Sequence, residues 1–121
     1  RRGRTMKPVL VETIRRARAA GVKIVTGSDT GYGPASMARV SREVVELIEA
    51  GLPALAALQA ATSVNAEMLR LETRIGHLRP GCEADLIVVD ANPLERPRTL
   101  LDPQFVVSNG RVAVDRLTFG K

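Results

Sequence analysis

The sequence predicts an α/β portion over residues 1–71 and an all-β portion over 72–121. Three observations carry this. Helical periodicity over residues 6–20 ends at a glycine, and a short β-rich run and a glycine-rich loop follow at once, which is the grammar of an α/β unit. Further amphipathic stretches continue to about Leu71. From about residue 74 the pattern becomes that of strands, and Asn109-Gly110 between apolar runs is the strongest two-residue hairpin signal available.

Taken in order, Leu10, Ile14 and Ala17 recur at helical spacing and form one stripe, with Arg15, Arg16 and Arg18 lying away from it. Pro8 fits the first turn of this helix, where its missing N–H goes unneeded, and Gly21 suits a left-handed terminus. Val22–Thr26 reads as a short buried strand that stops at Gly27-Ser28-Asp29-Thr30-Gly31-Tyr32-Gly33-Pro34. Ser36 is the expected cap of a second helix, with Met37, Val40, Val44, Leu47 and Ile48 on its apolar face. Arg42, Glu43, Glu46 and Glu49 fall on the other face, and Gly51 closes the helix. Pro53 opens a third, Ala- and Leu-rich helix to about Ala61, and Thr62 or Ser63 caps a fourth segment ending near Leu71. In the second portion Arg79-Pro80-Gly81 has Pro and Gly at the central positions of a type II turn. Ala84–Asp90 is a strand whose apolar centre predicts burial on both faces, and Phe105–Ser108 and Arg111–Asp115 flank the Asn-Gly turn.

Composition narrows the function classes. The chain of 121 residues is 45% apolar, enough for a core and enough to exclude wholesale disorder. No apolar run approaches the roughly 18 residues of a membrane span, and none follows the basic start as it would in a signal peptide. One cysteine, Cys82, cannot form an internal disulfide, which fits a reducing cytoplasm or simply indifference to redox. The net charge of +5 is concentrated: residues 1–23 carry eight basic side chains against Glu12 alone, and the remainder carries 10 basic and 12 acidic. Such a patch can attract nucleic acid, but single-strand binding also wants aromatic platforms, and Tyr32, Phe105 and Phe119 are the sole aromatics. The expectation is a solvated arginine face, with neither nucleic acid nor membrane as partner.

Asp29 is the candidate for chemistry. A carboxylate just past the C-terminal end of a parallel strand lies where α/β proteins place their active sites. Residue type leaves a second reading open, in which Asp29 merely forms the turn through its own side chain. Glycines on either side allow a sharp bend and the close approach of a ligand. No Gly-Lys-Ser/Thr follows them, so the loop is not a phosphate-binding P-loop.

Several segments together carry a family resemblance. Gly27-Ser28-Asp29-Thr30-Gly31, Glu46-Leu47-Ile48-Glu49-Ala50-Gly51-Leu52 and Ala56-Ala57-Leu58-Gln59-Ala60-Ala61-Thr62-Ser63-Val64-Asn65-Ala66-Glu67 come first. Arg74-Ile75-Gly76-His77-Leu78-Arg79-Pro80-Gly81, Ala84–Asp90 and Asn109-Gly110-Arg111-Val112 follow. In that order they resemble the C-terminal part of the metal-dependent amidohydrolase superfamily, in its imidazolonepropionase-like and prolidase-type branches. The resemblance implies a C-terminal fragment of a TIM-like (β/α)₈ barrel, whose C-terminal face holds one or two divalent metals, zinc being the expected one. It also implies a small composite β-sandwich. Residues 1–71 are then the last helix-strand-helix units of the barrel, with Val22–Thr26 as its eighth strand, and residues 72–121 are the returning strands of the sandwich. Asp29 becomes a metal ligand and the general base toward a metal-activated water. The reaction implied is hydrolysis of an amide or cyclic C–N bond in a small-molecule amide or dipeptide-like substrate. Metal coordination lowers the pKa of water to near ~7, and a neighbouring carboxylate can pass the proton on to the leaving amine.

The remaining ligands of that family are absent from this sequence: a His-x-His pair after the first strand, a bridging carboxylated Lys or Glu after the fourth, and histidines after the fifth and sixth. His77 falls in a turn where the family places no ligand, and Cys82 in a surface turn where relatives commonly carry Lys; neither is expected to bind metal or to attack. Ser28 and Tyr32 are candidates to line the pocket. Catalytic zinc takes several protein ligands, so the 121-residue chain alone is expected to be inactive and to hold no stoichiometric metal. A whole barrel takes about 250 residues, so the expectation is a truncated or processed portion of a chain roughly three to four times longer, although Met6 could serve as a start. The alternative is a non-catalytic structural module that completes a barrel supplied by a partner chain. An eighth strand without its neighbours exposes both edges, which predicts homo-oligomerisation or association with the rest of the barrel.

Overall fold

Residues in the left-handed region punctuate the helical half of the chain in a computed structural model that describes residues 2–28 and 39–117. The helices are α1 (Arg2–Ala19), α2 (Val40–Glu49), α3 (Ala54–Ala60) and α4 (Ser63–Met68). Gly21 ends α1 at φ +76°: its N–H donates to the Arg18 carbonyl and that of Val22 to the Ala17 carbonyl, the paired bonds of a Schellman motif. Gly51 repeats the motif for α2 at φ +101°, with the Leu52 N–H on the Leu47 carbonyl. At α4 the left-handed residue is Arg70, φ +58°, and the Leu71 N–H reaches back to the Ala66 carbonyl. That arginine stops the helix at Met68, short of the end near Leu71 that periodicity suggests.

Helix starts differ more from expectation. α1 begins at Arg2 and carries Pro8 inside it, so the carbonyl one turn earlier lacks its helical donor. Ser36 and Met37 lie outside the described residues, and Arg39 stands at the N-cap of α2 without a side-chain cap bond. Pro53 occupies the N-cap of α3. Thr62 is the N-cap of α4, but its hydroxyl donates 2.8 Å back to the Leu58 carbonyl instead of capping.

Val22–Thr26 forms no strand ladder. A strand is defined by a partner, and no neighbouring strand lies beside this segment among the described residues; its polar groups turn to the helices instead. The sheet that does form lies wholly in the second portion, as β1 (Leu86–Val88), β2 (Phe105–Ser108) and β3 (Arg111–Asp115), antiparallel in that order. Asn109 and Gly110, at φ +49° and +71°, make the hairpin turn, and a bulge between Val106 and Val107 shifts the β2–β3 register. The Asp85 carboxylate accepts the Asn109 N–H at 2.6 Å, tying the β1 side to the hairpin turn. Gly81 takes φ +91° and the Cys82 N–H donates to the Arg79 carbonyl, the expected type II turn. Burial of β1 on both faces is not observed: Ile87 is 47% exposed and Val88 39% exposed, because no second layer covers them among the described residues.

The core is small and built largely of short side chains, with Val44, Leu47, Leu52, Ala57, Ala60 and Leu100 at its centre. Ile14 and Ile24 pack against it, whereas Leu10, on the same predicted stripe, is 54% exposed. Leu100 comes from a 3₁₀ turn over Pro97–Leu101 that hydrophobic periodicity does not reveal, and Arg98 in that turn pairs with Glu49 of α2 at 2.9 Å. Gly76, at φ +82°, lies against α4 so closely that a Cβ would stand 2.8 Å from the Ala66 Cβ and 2.9 Å from the Thr62 carbonyl oxygen.

Candidate functional site

The segment that leads into the glycine loop is held at its C-terminal end by three helices. Thr26 is 6% exposed and is the one polar residue so buried among those described. Its N–H donates to the carbonyl of Ala60 at 3.1 Å; Ala60 ends α3, so its carbonyl has no partner within the helix. The Asn65 amide, on α4, donates to the Thr26 carbonyl at 3.0 Å and approaches the hydroxyl at 3.3 Å. One residue on, the Gly27 N–H donates to Glu43 Oε1 at 3.0 Å. Glu43 sits in the first turn of α2, where the helix dipole favours an anion, and its Oε2 is buried without a hydrogen-bond partner among the described residues. Near the start of the segment, Lys23 Nζ lies 2.7 Å from Glu67 Oε2 of α4. The hydrogen bond and the charge of that contact raise the Lys23 pKa and hold the Glu67 carboxyl below its ordinary range.

These bonds bring together the base of the loop but not every residue the sequence singles out. Asp29 and Tyr32 lie outside the described residues. Ser28 is half-buried immediately after the held pair. His77 is exposed in the turn beyond α4, and Cys82 is a free, half-buried thiol 3.7 Å from the Thr73 carbonyl. Gly27 does not take a left-handed φ, and a Cβ there would meet nothing within 4 Å among the described residues. Among the described residues no three of His, Cys, Asp and Glu cluster as a metal site.

Sequence reasoning missed two of the residues that build this arrangement. Glu43 reads as part of a polar face, yet it precedes Leu47 by four residues and so borders the apolar stripe, which turns it toward Gly27. Asn65 gives no signal by spacing; its role depends on α4 lying beside Thr26.

Comparison with known proteins agrees with the resemblance. The amidohydrolase family profile matches residues 1–114. No curated protein matches the chain significantly. Among solved structures, a Xaa-Pro dipeptidase with bound methionine in its active site is 36% identical with a TM-score of 0.78, over 88% of this chain and 26% of that one. A prolidase complexed with N-methylphosphonate-L-proline is 31% identical with a TM-score of 0.76, over 87% of this chain and 26% of that one. An amidohydrolase from Thermotoga maritima is 26% identical with a TM-score of 0.67, over 88% and 26%. The chain therefore spans about a quarter of the length of these relatives. With the profile covering residues 1–114, nearly the whole chain, this chain belongs to the amidohydrolase family.

Proposed function

We propose that the chain is the C-terminal part of a metal-dependent amidohydrolase that hydrolyses an amide or cyclic C–N bond in a small, dipeptide-like substrate. Residues 1–71 would contribute the last helix-strand-helix units of a (β/α)₈ barrel and 72–121 the returning strands of a β-sandwich. The observation that supports this is the family profile matched over residues 1–114, a range that includes Asp29, together with the likeness to prolidase-type structures. The described residues do not by themselves fit a divalent metal, so the ligands other than Asp29 would come from the rest of the protein. Asp29 would accept a proton from the attacking water and return it to the departing amine, a balanced transfer that leaves the carboxylate regenerated. No helix among the described residues is long and apolar enough to cross a membrane. The single cysteine within these 121 residues is compatible with a reducing cytoplasm, the compartment we propose.

The test is turnover by the full-length protein on dipeptides ending in proline, on N-acyl amino acids and on cyclic amides. Hydrolysis that chelation abolishes and zinc restores is expected. Absence of turnover on all three classes in zinc-loaded protein contradicts the reading and favours a non-catalytic, barrel-completing module.

A further inference from the structure

We propose that Glu43 and Asn65 are positioning residues, which fix residues 26 and 27 so that the chain enters the Gly27–Gly31 loop in one direction. The proposal rests on the reading of Asp29 as the base, and it concerns what holds that residue's loop rather than the base itself.

Both polar groups of the Thr26–Gly27 peptide, at the foot of the loop, are taken by side chains from different helices. Asn65 on α4 grips the Thr26 carbonyl at 3.0 Å, and Glu43 on α2 grips the Gly27 N–H at 3.0 Å. The Thr26 N–H is held independently by the end of α3 at 3.1 Å. Three consecutive backbone polar groups are thus fixed by three elements, and two of the three bonds come from side chains that a mutation can remove without touching the backbone. Gly27 itself supplies no rigidity, since it has neither a left-handed φ nor, among the described residues, a neighbour within 4 Å of where a Cβ would be. Rigidity at this point comes from the clamp. Supporting residues of this kind matter because a misplacement of about 1 Å can cost on the order of a hundredfold in rate.

Two measurements test it. In the full-length protein, Glu43→Ala and Asn65→Ala should each lower kcat by roughly 10–100-fold with KM unchanged, and Glu43→Gln, which keeps an oxygen for the Gly27 N–H, should recover kcat to within about fivefold. In the same full-length protein, amide exchange at Gly27 should accelerate in Glu43→Ala and stay slow in Glu43→Gln. The proposal is overturned if KM alone rises, if Glu43→Gln is as damaging as Glu43→Ala, or if Gly27 exchanges equally fast in wild type and Glu43→Ala. Undiminished turnover by Asp29→Asn would instead remove the base, and the Gly27 exchange rates would still decide the clamp.

Discussion

Replacing Gly76 by alanine separates two costs that a glycine substitution usually mixes. At φ +82° any Cβ is strained, and in this position the added carbon would also meet Ala66 Cβ at 2.8 Å and the Thr62 carbonyl oxygen at 2.9 Å. Neither neighbour is the free end of a flexible side chain, so α4 or the turn itself must move. The left-handed conformation costs about 1–2 kcal/mol, and overpacking against a fixed neighbour costs about 1–3 kcal/mol more. Gly81 is the internal control, since it has φ +91° but nothing within 4 Å of where a Cβ would stand, so Gly81→Ala bears the conformational cost alone. Thermal melts followed by far-ultraviolet circular dichroism read the difference, at roughly 4 °C per kcal/mol for a domain of this size. Gly76→Ala should lower Tm by about 8–20 °C and Gly81→Ala by about 4–8 °C. Equal losses for the two variants would refute the close approach of residue 76 to α4.

Other perturbations probe the remaining parts of the fold. Leu100→Ala removes a buried side chain that joins the 3₁₀ turn to α2, and transfer plus cavity terms put the loss at about 2.5–4 kcal/mol, measurable by urea unfolding; a loss below about 1 kcal/mol would place Leu100 outside the core. The Lys23–Glu67 pair contributes only while the amine is protonated and the carboxyl ionised. Glu67, lowered in the folded state, loses its contribution as pH falls through its folded pKa, and Lys23, raised, loses its contribution as pH rises through its own. The small Tm difference between wild type and Glu67→Gln should therefore exist at neutral pH and vanish by about pH 2, and its persistence there would contradict the pairing. With Ile87, Val88 and Val112 exposed, the isolated chain should self-associate in sizing chromatography; a monodisperse monomer would count against that.

Legibility from sequence follows the range of the interactions concerned. Local rules specify Gly21, Gly51, the Pro80-Gly81 turn and the Asn109-Gly110 hairpin, because each depends on a backbone conformation that one or two residue types favour. The end of α4 is not legible in the same way, because Arg70 adopts a conformation for which its residue type gives no warning. Val22–Thr26 has the composition of a strand, but composition cannot supply the neighbour that a ladder needs, and here the helices take its hydrogen bonds. The same limit applies to the site. Asp29 stands out by its glycine-rich context, whereas Glu43 and Asn65 act through contacts 16 and 39 residues away, which no window of periodicity spans. The Pro97–Leu101 turn, too short for a periodic signal, escapes for a related reason: a single leucine near its end does the packing.

The most direct test of the catalytic claim is Asp29→Asn in the full-length protein, assayed for kcat on the best hydrolysed substrate alongside circular dichroism. An amide of the same shape cannot accept the proton, so turnover should fall on the order of a thousandfold while the fold and melting temperature stay as in wild type. Undiminished kcat in a normally folded Asp29→Asn protein would contradict the claim that this carboxylate performs the chemistry.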